Sequence, residues 1–397
     1  ATYYMGLQVN HDTGILNAPK NYYFNNNINN WGYTFQNNIS YKLTKSTKLE
    51  LRMNAQIRSQ SGPGEDVSSF FWDMYGNNPV AFPATFPAQE GDTHIRFGNA
   101  VKTGNDLRTN PYAKLVNSHK QYNENTLNTT FRLHQDFDFV TKGLKASLMV
   151  NWKNWSDAAY WQTINPYYYK VVDGSWNPQV SPSFQTELLG TPGDDYVTEN
   201  DPVKHNDQTF YFDARVTYNR TFGDHTIGGL LMYMQREYRS AALPERNQGL
   251  SGRVTYDYKQ RYWAEFNFGY NGTERLPKGR RFEFFPAVSL GWVPSNEAWW
   301  QPLAETVSYL KLRGSYGLVG SDDTGMSAGA ERFLFFDKIN IGKGPSYATG
   351  PSQSQQNWAS GPSIDGFAVE NPTWERTRKL DIGVDLSLWN QLNVTFD

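Results

Sequence analysis

Cysteine is missing from all 397 residues, so the chain has no disulfide staple, no thiol nucleophile and no cysteine metal ligand. No run of about 18 apolar residues occurs either, which excludes a transmembrane helix. Charged residues are scarce at 19%, and a formal net charge of -2 argues against a dominant nucleic-acid or anionic-lipid partner. ATYYMGLQV opens without a basic stretch or an apolar core, so no targeting signal is expected within these residues, which read as though inside a strand. None of these absences excludes a membrane barrel, because its strands alternate lipid-facing and lumen-facing residues and build no long apolar run.

Aromatics are abundant instead. The chain holds 25 Tyr, 24 Phe and 13 Trp, in a polar sequence whose mean hydropathy is -0.68. The clearest period of two is KLELRMNAQIR, 48–58, with Leu49, Leu51, Met53, Ala55 and Ile57 on one face and Glu50, Arg52, Asn54, Gln56 and Arg58 on the other. Similar segments cover 31–43, 127–139, 144–153, 210–219, 250–258, 262–270, 282–292, 309–318, 380–388 and 392–396, with looser fits at 3–9 and 226–239. That predicts about thirteen strands, most near the ~9–11 residues that cross a bilayer when tilted.

The connections alternate in length. Short ones are Thr44–Thr47, Thr141–Gly143, Phe222–His225, Lys259–Arg261 and Asn390–Gln391, with 294–306 somewhat longer. Long ones span 10–30, 59–124, 155–207, 240–248, 272–280 and 319–378. A soluble sandwich has no reason to gather its long connections at one end, whereas outer-membrane barrels do so. Alternation alone is compatible with both, since an apolar face can meet either a core or lipid. Tyr and Trp near strand ends, such as Trp152, Trp155, Tyr256, Tyr258, Tyr262, Trp263, Trp292, Trp299 and Trp300, suit a bilayer interface. A passive porin and a soluble glycan-active β protein remain as alternatives on these grounds. The latter calls for a blade-like repeat of ~40–50 residues, and none is evident.

One stretch is awkward for any sheet. In GRRFEFFPAVSLGW, 279–292, Phe282, Phe284, Val288, Leu290 and Trp292 share a face, yet Pro286 sits mid-strand without an N–H. A β-bulge or a ladder break at Phe285–Pro286 is expected.

The run YWAEFNFGYNGTERLPKGRRFEFFPAVSLGW, 262–292, resembles the signature of the SusC/RagA-type TonB-dependent outer-membrane transporters of Bacteroidota. Gly272 in the turn, then Phe284, Phe285, Pro286, Gly291 and Trp292, match its structural positions. YLKLRGSYGLVGSDD (309–323), ENPTWERTRKLDIGVDLSLWNQLNVTFD (370–397), DFDFVTKGLKASLMVNW (136–152) and NPYAKL (110–115) resemble further family segments in the same order, although Trp374 follows Thr373 without the usual extra residue.

The resemblance implies an all-β, antiparallel transmembrane barrel, with residues 1–397 forming about 13 of a family-typical 22 strands. It also implies a signal peptide, TonB box and plug outside this chain. The implied function is import of oligosaccharides, or of oligopeptides as in the RagA branch, without catalysis. Implied partners are a SusD-like surface lipoprotein, the TonB complex acting through the plug, and lipid or lipopolysaccharide. Sugars need flat rings to stack on and amides or carboxylates for their hydroxyls. Trp72 and Tyr75, with Trp155, Tyr160, Trp161, Tyr168 and Trp176, are the candidate ligand contacts; packing between loops or against a lid is the alternative for each. Arg275, Lys278, Arg280 and Arg281 could meet lipopolysaccharide phosphates or be a solvated loop. No cofactor is implied; Asp194 and Asp195 are weak candidates for a structural Ca²⁺, without EF-hand spacing.

Overall fold

The computed structural model describes residues 1–16, 18, 25–323 and 333–397. Thirteen antiparallel strands run in chain order through one sheet, each paired with its sequence neighbour, and the two-residue Thr198–Glu199 joins it as a fourteenth. They are β1 (Thr2–Thr13), β2 (Asn29–Lys42), β3 (Thr47–Pro63), β4 (Ser118–Asp136), β5 (Leu144–Thr163), β6 (Val203–Phe222), β7 (His225–Arg239), β8 (Glu245–Tyr258), β9 (Tyr262–Thr273), β10 (Phe282–Trp292), β11 (Val307–Ser321), β12 (Glu375–Leu388) and β13 (Leu392–Phe396). Every alternating segment is a strand, and short and long connections lie at opposite ends, although the one after β7 shrinks to 240–244. Two short turns place consecutive residues at positive φ, Lys259–Gln260 and Trp389–Asn390. Arg261 N donates to Tyr258 O and Gln391 N to Leu388 O, which closes type I′ hairpins whose twist matches the strands.

From the short-turn end, each spanning strand carries a band of alternation close to the ~9–11 residues a tilted strand needs. The register lines the band up: Leu51 stands opposite Phe131, Phe131 opposite Val150, and Val150 opposite Phe212. Phe131, Leu148, Trp152, Phe210, Leu231, Val254, Phe266, Phe284 and Leu290 are all exposed on this outer face. So much contiguous apolar surface marks the lipid contact of a membrane barrel. Toward the short-turn end, ion pairs lie on the opposite face: Glu50 with Lys48 and Arg52, Asp213 with Arg215, and Arg313 with Asp381, Asp385 and Asp397.

The strands do not all stop where the band stops. β4 and β5 continue through 118–126 and 153–163, about 35 Å of extra strand on β5 at ~3.3 Å per residue. β10 has no such extension. The extracellular wall is therefore high at β3–β6 and low at β9–β10.

Pro286 does not sit in a bulge. β10 pairs with β9 in unbroken register, Phe268 opposite Pro286 and Gly269 opposite Phe285. The break expected there occurs on the other side alone, where pairing with β11 ends at Ala287 opposite Gly317. A residue without an N–H is thus placed where β10 has lost one neighbour. Phe285, buried, fills the gap: its ring lies where a Cβ on Gly320 would collide with it, and Trp374 packs edge-on at 5.3 Å. Leu276 and Leu318 complete the cluster. Trp374 Nε1 donates to Arg281 O (3.2 Å), Arg280 Nη1 to Asn371 O (3.1 Å), and Arg376 pairs with Glu283 (2.5 Å). The three signature segments are therefore one seam filling, welded from both flanking loops.

The connection 64–117 is a folded unit rather than a solvated loop. Helix α1 (Val67–Gly76) is capped by Asp66, whose carboxylate accepts from Ser68 N, and α2 (Pro111–Val116) by Asn110, with proline in its first turn. Asn110, 1% exposed, also donates to Ala84 O and Gly98 O. Lys114 Nζ reaches Asp73 at 2.8 Å and docks the helices. Phe97, Ala113 and Val116 form the core, and Arg96–Gly98 pairs in parallel with Tyr167–Val171, which also pairs with Thr186–Leu188. The connections 64–117 and 164–202 thereby become one module. Asn26 ties the 14–28 connection to it, donating to Leu115 O and Ser118 O; of NYYFNNNINN, residues 21–24 lie outside the described residues.

Three outcomes follow from this packing. Phe285→Ala should cost about 3 kcal/mol and lower the unfolding midpoint in detergent, and Gly320→Val should destabilise by about 1–3 kcal/mol through overpacking. Asn110→Ala removes a cap and two buried donations, a loss of about 2 kcal/mol from the module; Asn110→Asp keeps the cap but turns an acceptor-only oxygen onto the Ala84 and Gly98 carbonyls and should lose at least as much. The side-chain hydrogen bond from Arg96 holds the Asp92 carboxyl below its ordinary 3.8. Its contribution is present above ~3.9 and lost as pH falls through the lowered folded value. Proteolysis within 64–117 should therefore accelerate only in strong acid, and Asp92→Asn should show the acceleration at neutral pH.

Candidate functional site

The inner face of the high wall gathers most of the side chains that could hold a ligand. β5 runs to Thr163, so Trp155, Tyr160 and Trp161 stand on a strand, not in a loop as alternation suggested. Above the band both faces of β5 are polar, and the period of two that would have extended the strand disappears. Parity then separates the three. Trp155 and Trp161 share the lumen side with Asn151 and Asp157, whereas Tyr160 shares the outer face with Trp152. Six positions apart, the two tryptophans are separated by about 20 Å along the strand.

Between them lies a hydrogen-bonded row. Arg58 stands opposite Glu124, Glu124 opposite Asp157, and Asp157 opposite His205. Trp155 Nε1 donates to Glu124 Oε1 at 2.8 Å, and His205 Nδ1 lies 2.8 Å from Asp157 Oδ1. Two carboxylates directly opposite one another repel; here each has its own partner, Arg58 at 3.9 Å from Glu124 and His205 on Asp157. Each carboxylate has four acceptor positions, so capacity remains for outside donors. Lys120 Nζ sits 4.9 Å from the Trp161 ring centre and Tyr122 lies nearby. Sequence reading missed this row, because its members are scattered over four strands and only register brings them together. A cavity of about 430 Å³ lies beside Lys120 and Tyr122, walled by Gln60, Gly62 and Asp66.

The remaining candidates belong to the loop module. Trp72 and Tyr75 project from α1, 75% and 86% exposed, and Trp176 is 69% exposed. Tyr168 instead packs against Phe97, ring centres 6.5 Å apart, and burial raises the pKa of its hydroxyl. His94 stacks on Tyr167 at 3.8 Å and lies 2.8 Å from the Tyr169 hydroxyl, while Arg96 covers the Tyr169 ring at 4.2 Å. Asp194 accepts from Asn165 N and Nδ2, and Asp195 accepts from the Tyr167 hydroxyl at 3.0 Å. Among the described residues, no three His, Asp or Glu side chains converge as a metal site. Gly272, Phe284, Gly291 and Trp292 lie in the wall of β9 and β10.

No family-wide sequence profile matches the chain. It is 29% identical over 218 residues, 45% of this chain and 19% of the relative, to TonB-dependent receptor P39 of Formosa agariphila. It is 27% identical over 139 residues, 35% of this chain and 13% of the relative, to TonB-dependent receptor SusC of Bacteroides thetaiotaomicron. Among solved structures, the RagAB peptide importer in its closed-closed state superposes with a TM-score of 0.59 at 14% identity, covering 98% of this chain and 41% of that one. At that identity the superposition speaks for the fold. The matched span is under a fifth of each of these curated relatives. With the neighbour-paired sheet, the lipid band and the welded FFP seam, these likenesses make the chain similar to part of the outer-membrane β-barrel of SusC/RagA-type TonB-dependent receptors.

Proposed function

We propose that this chain supplies barrel wall and an extracellular vestibule to a receptor that imports oligosaccharides across the outer membrane of a Gram-negative bacterium. The observation that carries the reading is the pair Trp155 and Trp161 on the lumen side of one strand, with Glu124 and Asp157 facing the space between them. Flat rings stack on sugar faces, and carboxylates accept from sugar hydroxyls. The exposed Trp72, Tyr75 and Trp176 of the loop module would add contacts at the mouth. In this reading the role is transport without catalysis. The rest of the receptor brings the remaining strands, the plug and the TonB-binding segment, and a SusD-like lipoprotein closes the mouth. Likeness to a protein described as a peptide importer supports a second reading, oligopeptide import.

Binding of the full-length receptor to a panel of glycans and peptides tests both. Trp161→Ala should weaken the best glycan about 5- to 10-fold, as loss of roughly 1–1.5 kcal/mol of ring contact predicts. Trp72→Ala should weaken it less, and both variants should keep the wild-type unfolding midpoint. Unchanged affinity in both removes the site assignment; saturable binding of peptides but of no glycan selects the second reading.

A further inference from the structure

Gly32 lies inside β2 with no local reason to be glycine. The strand pairs with both neighbours in unbroken register through it, Asn10 opposite on β1 and Arg58 on β3, so no bulge requires it. Its φ is not positive, and a Cβ there would meet only Asn10, at an ordinary 3.8 Å. Gly228, Gly249 and Gly317 of the same lumen face are different, since a Cβ on each would come within 2.3, 2.6 and 2.8 Å of a neighbouring strand's side chain. A glycine inside a strand gives up about 0.5–1 kcal/mol relative to alanine. Where backbone and packing do not demand one, it marks a place where something else approaches the backbone closely.

The missing side chain opens the floor of a cleft of about 440 Å³, walled by Asn10, Asn30, Gln56, Arg58 and Glu124. Its polar groups are only loosely engaged with one another. Asn30 Nδ2 donates to Asp12 Oδ2 at 3.4 Å, Arg58 Nε to Asn30 Oδ1 at 3.5 Å, and Arg58 Nη1 lies 3.9 Å from Glu124 Oε2. Contacts at or beyond the outer limit of a hydrogen bond leave donors and acceptors to spare. Amides donate and accept, as sugar hydroxyls do. Asp12 and Glu124 stand against the single guanidinium, so the cleft offers an acidic ligand no surplus of positive charge. Glu124 also joins the cleft to the site already described, since its Oε1 accepts from Trp155 Nε1. Three strand spacings, roughly 14 Å, separate β2 from β5, a span that needs a chain of sugar units to bridge.

We propose that the Gly32 cleft is a second saccharide subsite, which takes an uncharged unit of an oligosaccharide whose other units stack on Trp155 and Trp161. This rests on the saccharide reading above and adds a place and a charge preference to it. The test titrates the full-length receptor with oligosaccharides, from dimer to hexamer, of the neutral glycan that binds best in the panel. Gly32→Thr fills the floor with a β-branched side chain, so it should hold or raise the unfolding midpoint. It should weaken the hexamer about 10-fold and leave the dimer, held by the tryptophan rings, unchanged. Should it lower the midpoint, Asn10→Ala with Asn30→Ala strips the walls, leaves the floor intact and decides the question by the same difference between hexamer and dimer. Unchanged hexamer affinity in these variants, with a loss in Trp161→Ala, overturns the subsite and leaves the saccharide reading standing. No loss in Trp161→Ala either removes both. An equal loss for dimer and hexamer in Gly32→Thr also overturns the subsite. The hexamer oxidised to uronic acids should bind wild type more weakly than the neutral one, and Asp12→Asn should narrow that gap; equal or tighter binding of the acidic form overturns the charge preference.

Discussion

A backbone N–H or C=O inside hydrocarbon has no water to bond, so it must find its partner in the protein. Everything in the wall follows from this. Thirteen strands pair with their sequence neighbours without a crossover, and the turns at the membrane's inner side are as short as the I′ hairpins at 258–261 and 388–391. The ladder opens between β10 and β11 only above Ala287, toward the extracellular side. There the unpaired edges are filled by Phe285 and Trp374, and Pro286 has no N–H to leave unsatisfied. The FFP and NPTWE segments look like two distant motifs in the sequence; physically they are the two halves of one repair.

The same constraint sorts the side chains. Within the band, apolar residues face lipid, and ion pairs such as Asp213 with Arg215 lie on the lumen side. Above the band lipid no longer dictates either face, and the ionisable row Arg58, Glu124, Asp157 and His205 lies inside. The wall is high where the loop module stands and low at β9–β10. Asn110 ties the module together, serving two helix-turn N–H groups and two carbonyls at once.

How much was readable from the residues varied with depth in the membrane. KLELRMNAQIR announced β3 because lipid on one side and water on the other impose a period of two. The upper ends of β4, β5 and β6 were invisible for the converse reason, and Trp155, Tyr160 and Trp161 were misplaced into a connection with them. Tyr168, which a composition argument groups with Trp72 and Trp176, lies against Phe97 because a three-residue parallel pairing draws two distant connections together. Pro286 was recognised as a break in pairing, but alternation carries no information about which neighbouring strand is lost.

By itself, then, the sequence determined the approximate strand number, the apolar face of each and the alternation of short turns and long loops. All of these are local consequences of a two-residue period and turn chemistry. The tertiary structure alone decided which residues of different strands share a row. Arg58, Glu124, Asp157 and His205 lie on four strands separated by connections of unequal length, and their meeting depends on register. Register is a property of paired backbones, to which each strand contributes only half.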